Sequence, residues 1–403
     1  MSRPSRVRVK GPLEPYVDGF RQQLAGQGYS PWTATAHMQL MAQVSCWLAA
    51  HRLGADALTA ASVESFLQDR RASGQARRLS PRGLIPLLDY LRGLGVAPEP
   101  TPLVPQSPLG QLLDGFAAYL VAERGLAEAT VISYRSVAAR FLDGRSPAHG
   151  VDLGELTAGE VSAFVAAECG RRRSVGSVNN VVTALRALLR FLHVQGHTAT
   201  SLATAVPTAP GWRGGGMPRA LAAGQVARLL ASCDRRTAAG RRDYAILVML
   251  TRLGLRAGEV ATLAVDDVDW RAGEILIPGK GNRHELLPLP VDVGQAVADY
   301  CQRSRHRGGC RSLFVHVRAP YAALSSSAVS AVVVRACDRA GLPRVGAHRL
   351  RHTAATAMRR AGAPLLEIGQ VLRHRHVNTT ALYAADDRDA LATVARRWPG
   401  GAA

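Results

Sequence analysis

The sequence predicts a mainly α protein: helical N-terminal modules followed by an α+β C-terminal domain with a small antiparallel sheet. Three observations point there. Apolar residues recur at helical spacing, as in Val181, Leu185, Leu188, Leu189 and Leu192. Two stretches rich in proline or glycine interrupt that pattern and cut the chain into three segments. The last segment carries two strand-like runs, "EILIP" and "HELLPLP", on either side of the turn "GKGNR".

The chain has 403 residues, more than one hydrophobic core ordinarily serves. The stretch "APEPTPLVPQSPLG" (97–110) holds five prolines and reads as a stiff, extended linker. "TAVPTAPGWRGGGMPRA" (204–220) mixes proline with three successive glycines and reads as a flexible one. The expected organisation is a helical module over 1–96, a second helical domain over 111–203 and a C-terminal domain over 221–403.

The first two segments resemble each other. "DGF" at 18–20 recurs at 114–116, "LTAASVESFL" (58–67) matches "LTAGEVSAFV" (156–165), and "LIPLLDYLRGLGV" (84–96) matches "LRALLRFLHVQGH" (185–197). The order is kept and the offset drifts only from 96 to 101 residues, so one helical module is expected twice. Thr59 and Thr157 each precede an apolar helical run and are expected N-caps.

In the third segment "GQVARLLASC" and "RRDYAILVMLTRLGL" read as helices. The hairpin follows, and after Pro290 the pattern is helical again to the end.

Charge narrows the function. Fifty Lys+Arg face thirty Asp+Glu, a net charge of +20, and residues 221–403 hold +12 of it. Such a surplus favours a polyanionic partner, most simply DNA or RNA. The six cysteines form no CxxC pair, the pattern expected of a reduced, cytoplasmic protein. The basic N-terminus has no apolar run behind it, and no stretch approaches the ~18 apolar residues of a membrane span.

Forty-eight of the basic residues are Arg and only two are Lys, at 10 and 280. Lys280 sits between two glycines in the hairpin turn. Five other residues stand out around it: Arg256 in "GLRAGEV", His348 and Arg351 in "HRLRH", His374 in "LRHRHVNTTALY", and Tyr383 closing that stretch. No one of these is specific. The ordered set Arg, Lys, His-x-x-Arg, His, Tyr resembles the tyrosine recombinases, the phage-integrase family. The resemblance runs in order through 221–403, and 110–205 is similar, more weakly, to that family's helical core-binding domain.

The chemistry of the residues agrees with that resemblance. Metal-free cleavage of a phosphodiester needs a nucleophile, positive charge on the non-bridging oxygens and a proton donor for the leaving 5′ oxygen. Tyr383 offers the nucleophile, though a phenol of pKa about 10 needs a base or a strong positive field. Arg256 and Arg351 offer planar guanidinium groups that can each bind two phosphate oxygens. His348 and His374 can move protons near neutral pH. Arg is effectively never deprotonated and is a poor acid, which explains a lysine at 280 in so arginine-rich a chain. The resemblance assigns Lys280 the role of general acid.

The resemblance also implies a site-specific DNA recombinase or integrase that forms a 3′-phosphotyrosyl bond without cofactor or metal. Its partner would be double-stranded DNA, bound by four protomers on two duplexes, with accessory recombinases or DNA-bending proteins as further partners. Residues 1–96 would be an extra SAM-like module, a feature that favours a mobile-element enzyme over a chromosome-dimer resolvase. The alternatives are a type IB topoisomerase-like enzyme, a catalytically silent DNA-binding protein and a zinc hydrolase. The zinc reading rests on His348 and His352 at i, i+4; the arginines between and beside them would repel a dication.

Neighbouring residues carry simpler expectations. Glu259 should orient Arg256 or cap local packing, His352 should pack in its helix, His376 should lie on the surface, and Thr379 and Thr380 should shape the approach to Tyr383. The sequence departs from the family at Arg373, where members usually carry Gly before the second His.

Overall fold

The computed structural model describes residues 7–74, 80–99, 107–143, 153–171, 175–208, 220–278, 284–306 and 308–373. Among these residues lie fifteen α-helices and one three-stranded antiparallel sheet. No described helix is long and apolar enough to cross a membrane.

The first module holds α1 (Val17–Gly26), α2 (Pro31–Ala50), α3 (Ala60–Ala72) and α4 (Ile85–Gly93). The second helical domain holds α5 (Pro108–Ala122), α6 (Glu128–Leu142), α7 (Ala158–Arg171) and α8 (Val175–Val194). The three matching sequence blocks fall on the first, third and fourth helix of each quartet. The phenylalanine of each "DGF", Phe20 and Phe116, is buried in its own core. Thr59 caps α3 by accepting the Ser62 N–H at 3.2 Å. Thr157 and Glu160 form a reciprocal capping box at α7, with bonds of 3.3 and 2.9 Å.

Helix α5 starts inside the stretch read as linker. Ser107 accepts the Gly110 N–H at 3.1 Å and Pro108 takes the first helical position. Both residue types favour a helix start, which outweighs the proline-rich composition there. The second core likewise runs past 203, through the short 3₁₀ turn Leu202–Ala205 to buried Val206.

By packing, residues up to Pro98 group with those from Gly216 onward in one compact unit, and Glu99–Gly215 forms another. In the first of these units Gly28 lies against the C-terminal domain. Its φ is +77°, and a Cβ there would stand 2.7 Å from Tyr321 and 3.1 Å from His306. Those two rings stack in parallel with centroids 3.9 Å apart.

The C-terminal domain is built around α10 (Ala238–Arg252). Residues Ala245 to Leu250 are buried without interruption, so this stretch of the helix is apolar on every side and must be central. It packs against α12 (Val291–Arg303), α13 (Ser326–Ala340) and α14 (Ala347–Arg360). Three shorter helices complete the domain: α9 (Ala223–Ala231), α11 (Ala257–Thr262) and α15 (Leu365–Val371).

The sheet has the order β1 (Val268–Asp269), β2 (Glu274–Pro278), β3 (His284–Pro288). The hairpin read from the sequence is β2–β3, in register from Glu274↔Pro288 to Pro278↔His284. Ile275 and Ile277 alternate into the core, as half-buried strands require. The connection over 279–283, with Lys280 in it, lies outside the described residues.

Candidate active site

Three segments distant in sequence meet at one end of α14. The loop before α11 supplies Arg256. The first turns of α14 supply His348 and Arg351. The end of α15 supplies Leu372 and Arg373.

Arg351 holds them together. Its side chain is almost wholly buried, and it donates to the Gly254 carbonyl at 2.7 Å and to the Leu372 carbonyl. A buried guanidinium without such acceptors would be strongly unfavourable. The approach is close and the backbone left-handed, so glycine is favoured at 254. Its φ is +60°, and a Cβ would stand 2.5 Å from the Leu372 side chain.

Arg256 is the N-cap of α11. Its backbone N–H donates to Glu259 Oε2 at 2.8 Å, and its Nη1 donates to Glu259 Oε1 at 2.6 Å. The carboxylate thus fixes both the backbone and the guanidinium of Arg256, as expected from the sequence. The Arg256 side chain remains 46% exposed while Glu259 is 7% exposed, so the pair offers a held but accessible cation.

Glu259 has a second partner. Arg373 Nη2 donates to Glu259 Oε2 at 2.7 Å, and this pair is buried on both sides. Burial alone would raise the Glu259 pKa. The Arg373 charge opposes it, with hydrogen bonds from Arg256 and Arg373, and the carboxyl ends below its ordinary value. The Arg373 carbonyl in turn accepts Arg256 Nη2 at 3.4 Å.

Arg373 has φ +56°, the left-handed position just past a helix end, where glycine is favoured. The structure therefore explains the glycine usual in the resembling family and shows where this chain's larger residue goes. It folds back onto Glu259 rather than out to solvent.

His348 keeps an exposed surface, yet protein atoms crowd its ring. That desolvation comes first, and the charges of Arg351 and Arg256 add to it, so its pKa falls below the ordinary histidine value. The shift favours the neutral imidazole, the form able to accept a proton. His352 Nε2 lies 3.1 Å from His348 Nε2, with the rings edge to face. One nitrogen must donate and the other accept, so the pair shares one proton across that contact. His352 was expected only to pack in its helix; the i, i+4 spacing was the signal that it shares a face with His348. Among the described residues no group of three His, Cys, Asp or Glu surrounds a common point.

Of the six residues singled out from sequence, Arg256, His348 and Arg351 converge here. Lys280, His374 and Tyr383 lie outside the described residues, as do His376, Thr379 and Thr380. His374 directly follows Arg373 in the chain.

Residues 219–389 match the profile of the phage integrase family, and residues 113–196 match the phage integrase N-terminal SAM-like domain. A Sinorhizobium fredii protein named as an integrase/recombinase, y4rA, is 38% identical over 407 residues, covering 100% of this chain and 97% of that protein. The chain belongs to the phage integrase family. As a tyrosine-type recombinase it is an enzyme of DNA strand breakage and rejoining. The tyrosine recombinase XerD of Corynebacterium glutamicum is 30% identical over 290 residues, 69% of this chain and 94% of that protein. The fold is shared with solved recombinases. XerH bound to a palindromic difH substrate, in a post-cleavage complex, has a TM-score of 0.54 at 17% identity and covers 96% of this chain and 97% of that one. A lambda integrase dimer bound to a COC′ core site has a TM-score of 0.54 at 17% identity, covering 83% of this chain and 87% of that one.

Proposed function

We propose that this recombinase cuts and rejoins specific DNA sites through a 3′-phosphotyrosyl intermediate, with Tyr383 as the nucleophile. Arg256 and Arg351 supply positive charge to the scissile phosphate, Lys280 protonates the leaving 5′ oxygen, and His348 and His374 move protons. The phosphotyrosyl bond keeps the energy of the broken diester, so a 5′-hydroxyl from a partner duplex can reverse the step and exchange strands.

The observation that carries this reading is the meeting of Arg256, from the loop before α11, with His348 and Arg351, from the first turns of α14. Arg256 is fixed by Glu259 yet exposed, and the buried Arg351 adds its charge from behind, so little reorganisation of Arg256 is needed when charge develops on the non-bridging oxygens. The family match continues to residue 389, through the stretch that holds His374 and Tyr383.

The domain roles follow. Residues 221–403 catalyse, 111–203 clasp the core DNA site, and 1–96 add a further DNA-contacting module. Four protomers act on two duplexes, the state of the lambda integrase tetramer bound to a Holliday junction, whose fold this chain shares. The added module favours an element-encoded enzyme of integration, excision or transposition, working in the bacterial cytoplasm.

A covalent-trap assay tests the chemistry. Wild type and Tyr383→Phe are mixed with nicked duplexes drawn from DNA flanking the gene and run on a denaturing gel. An adduct with wild type alone is expected. A native-gel shift without any adduct would favour a silent DNA-binding protein instead.

A further inference from the structure

Glu259 is a single carboxylate with two guanidinium partners. Oε1 takes Arg256 Nη1, and Oε2 takes both the Arg256 backbone N–H and Arg373 Nη2. Arg373 also donates from Nη1 to the Val371 carbonyl at 3.0 Å and offers its own carbonyl to Arg256. Among the described residues its buried Nε has no hydrogen-bond partner. The side chain is therefore confined by contacts on several sides and is withdrawn from solvent.

Charge counting shows what this arrangement does. A buried Glu259 paired only with Arg256 would leave that pair neutral. With Arg373 added, the cluster carries one net positive charge beside the exposed face of Arg256. We propose that Arg373 is a positioning residue that shares the Glu259 carboxylate, so that Arg256 stays fixed in place but keeps its charge available to the phosphate. The proposal rests on the recombinase reading above. It assigns a function to the one motif position at which this chain departs from the family's glycine.

The backbone supports it. A non-glycine residue at φ +56° is disfavoured relative to glycine. The local turn needs no side chain there, and a glycine would form it more easily. What the arginine adds is its guanidinium.

The test uses the full chain and the nicked duplex on which wild type forms its adduct. Three variants separate charge from shape: Arg373→Gly suits the backbone, Arg373→Met keeps most of the bulk, and Arg373→Lys keeps the charge. Single-turnover adduct formation at saturating DNA is expected to slow about 10- to 100-fold in the Gly and Met variants. The Lys variant should stay within about threefold of wild type, and DNA affinity should change less than about twofold in all three. A residue that only shaped the turn would give a Gly variant as fast as wild type, which overturns the proposal. Equal slowing of Lys, Gly and Met overturns it too. A second measurement needs no catalysis: thermal melts of Arg373→Gly, Glu259→Gln and the double variant. Non-additive shifts are expected, and additive ones would show that the two side chains do not interact. Failure of wild type to form an adduct on any duplex that it shifts in a native gel overturns the phosphotyrosyl reading itself, a result distinct from an active wild type matched by Arg373→Gly.

Discussion

The buried guanidinium of Arg351 donates to the carbonyl of Gly254, 2.7 Å away and 97 residues earlier in the chain. The same side chain donates to Leu372, so one residue ties the loop before α11 to the end of α15. Lysine cannot serve both carbonyls, because its ammonium is a single point rather than a fork. Arg351→Lys should therefore lose about 3 kcal/mol or more of stability as well as adduct formation. Urea denaturation and the covalent-trap assay read the two effects. A stable but inactive Arg351→Lys would confine the residue to chemistry.

Gly254→Ala should destabilise by about 1–3 kcal/mol, since alanine meets both a strained φ and the Leu372 side chain. The flexible end of Leu372 can yield, which favours the lower half of that range. The same denaturation measurement checks it.

Glu259→Ala leaves Arg373 buried with its charge unpaired. Breaking a buried pair from one side costs about 3–5 kcal/mol. Adding Arg373→Gly to Glu259→Ala should recover much of that loss, and a double variant no more stable than Glu259→Ala would contradict the pairing.

The lowered pKa of His348 sets a pH dependence. In the unfolded chain it returns to about 6.5, so the unfolded state binds the proton first as pH falls. The stability contribution is complete above about pH 6.5 and is lost as pH drops through the folded value. Wild type should lose more stability than His348→Gln between about pH 7.5 and pH 5.5. Parallel pH curves for the two proteins would rule this out.

Much of this architecture was legible because it is local. The caps at Thr59 and Thr157 depend on residues three positions away, and the β2–β3 hairpin depends on a turn flanked by alternating apolar residues. The bond from the Arg256 backbone N–H to the Glu259 carboxylate is local in the same way. β1 was not legible, because two residues are too few to show a strand period. Nor was the fate of Arg373: its partner Glu259 is 114 residues away, and a lone arginine beside a motif reads equally well as a phosphate contact. His352 fell between these cases. Its spacing from His348 was visible, but facing rings also require a shared exposed face on α14, which spacing alone does not establish.

The seat of Gly28 on the stacked rings of His306 and Tyr321 bears on how this enzyme can be trimmed. Through Gly28 the N-terminal module touches this aromatic pair, besides being a candidate DNA contact. A truncated enzyme that begins at α5 would uncover that surface and present two flat rings to water and to other molecules. A version of this recombinase cut back to α5 would lose that cover over His306 and Tyr321, and a more polar side chain at Tyr321 would offset it.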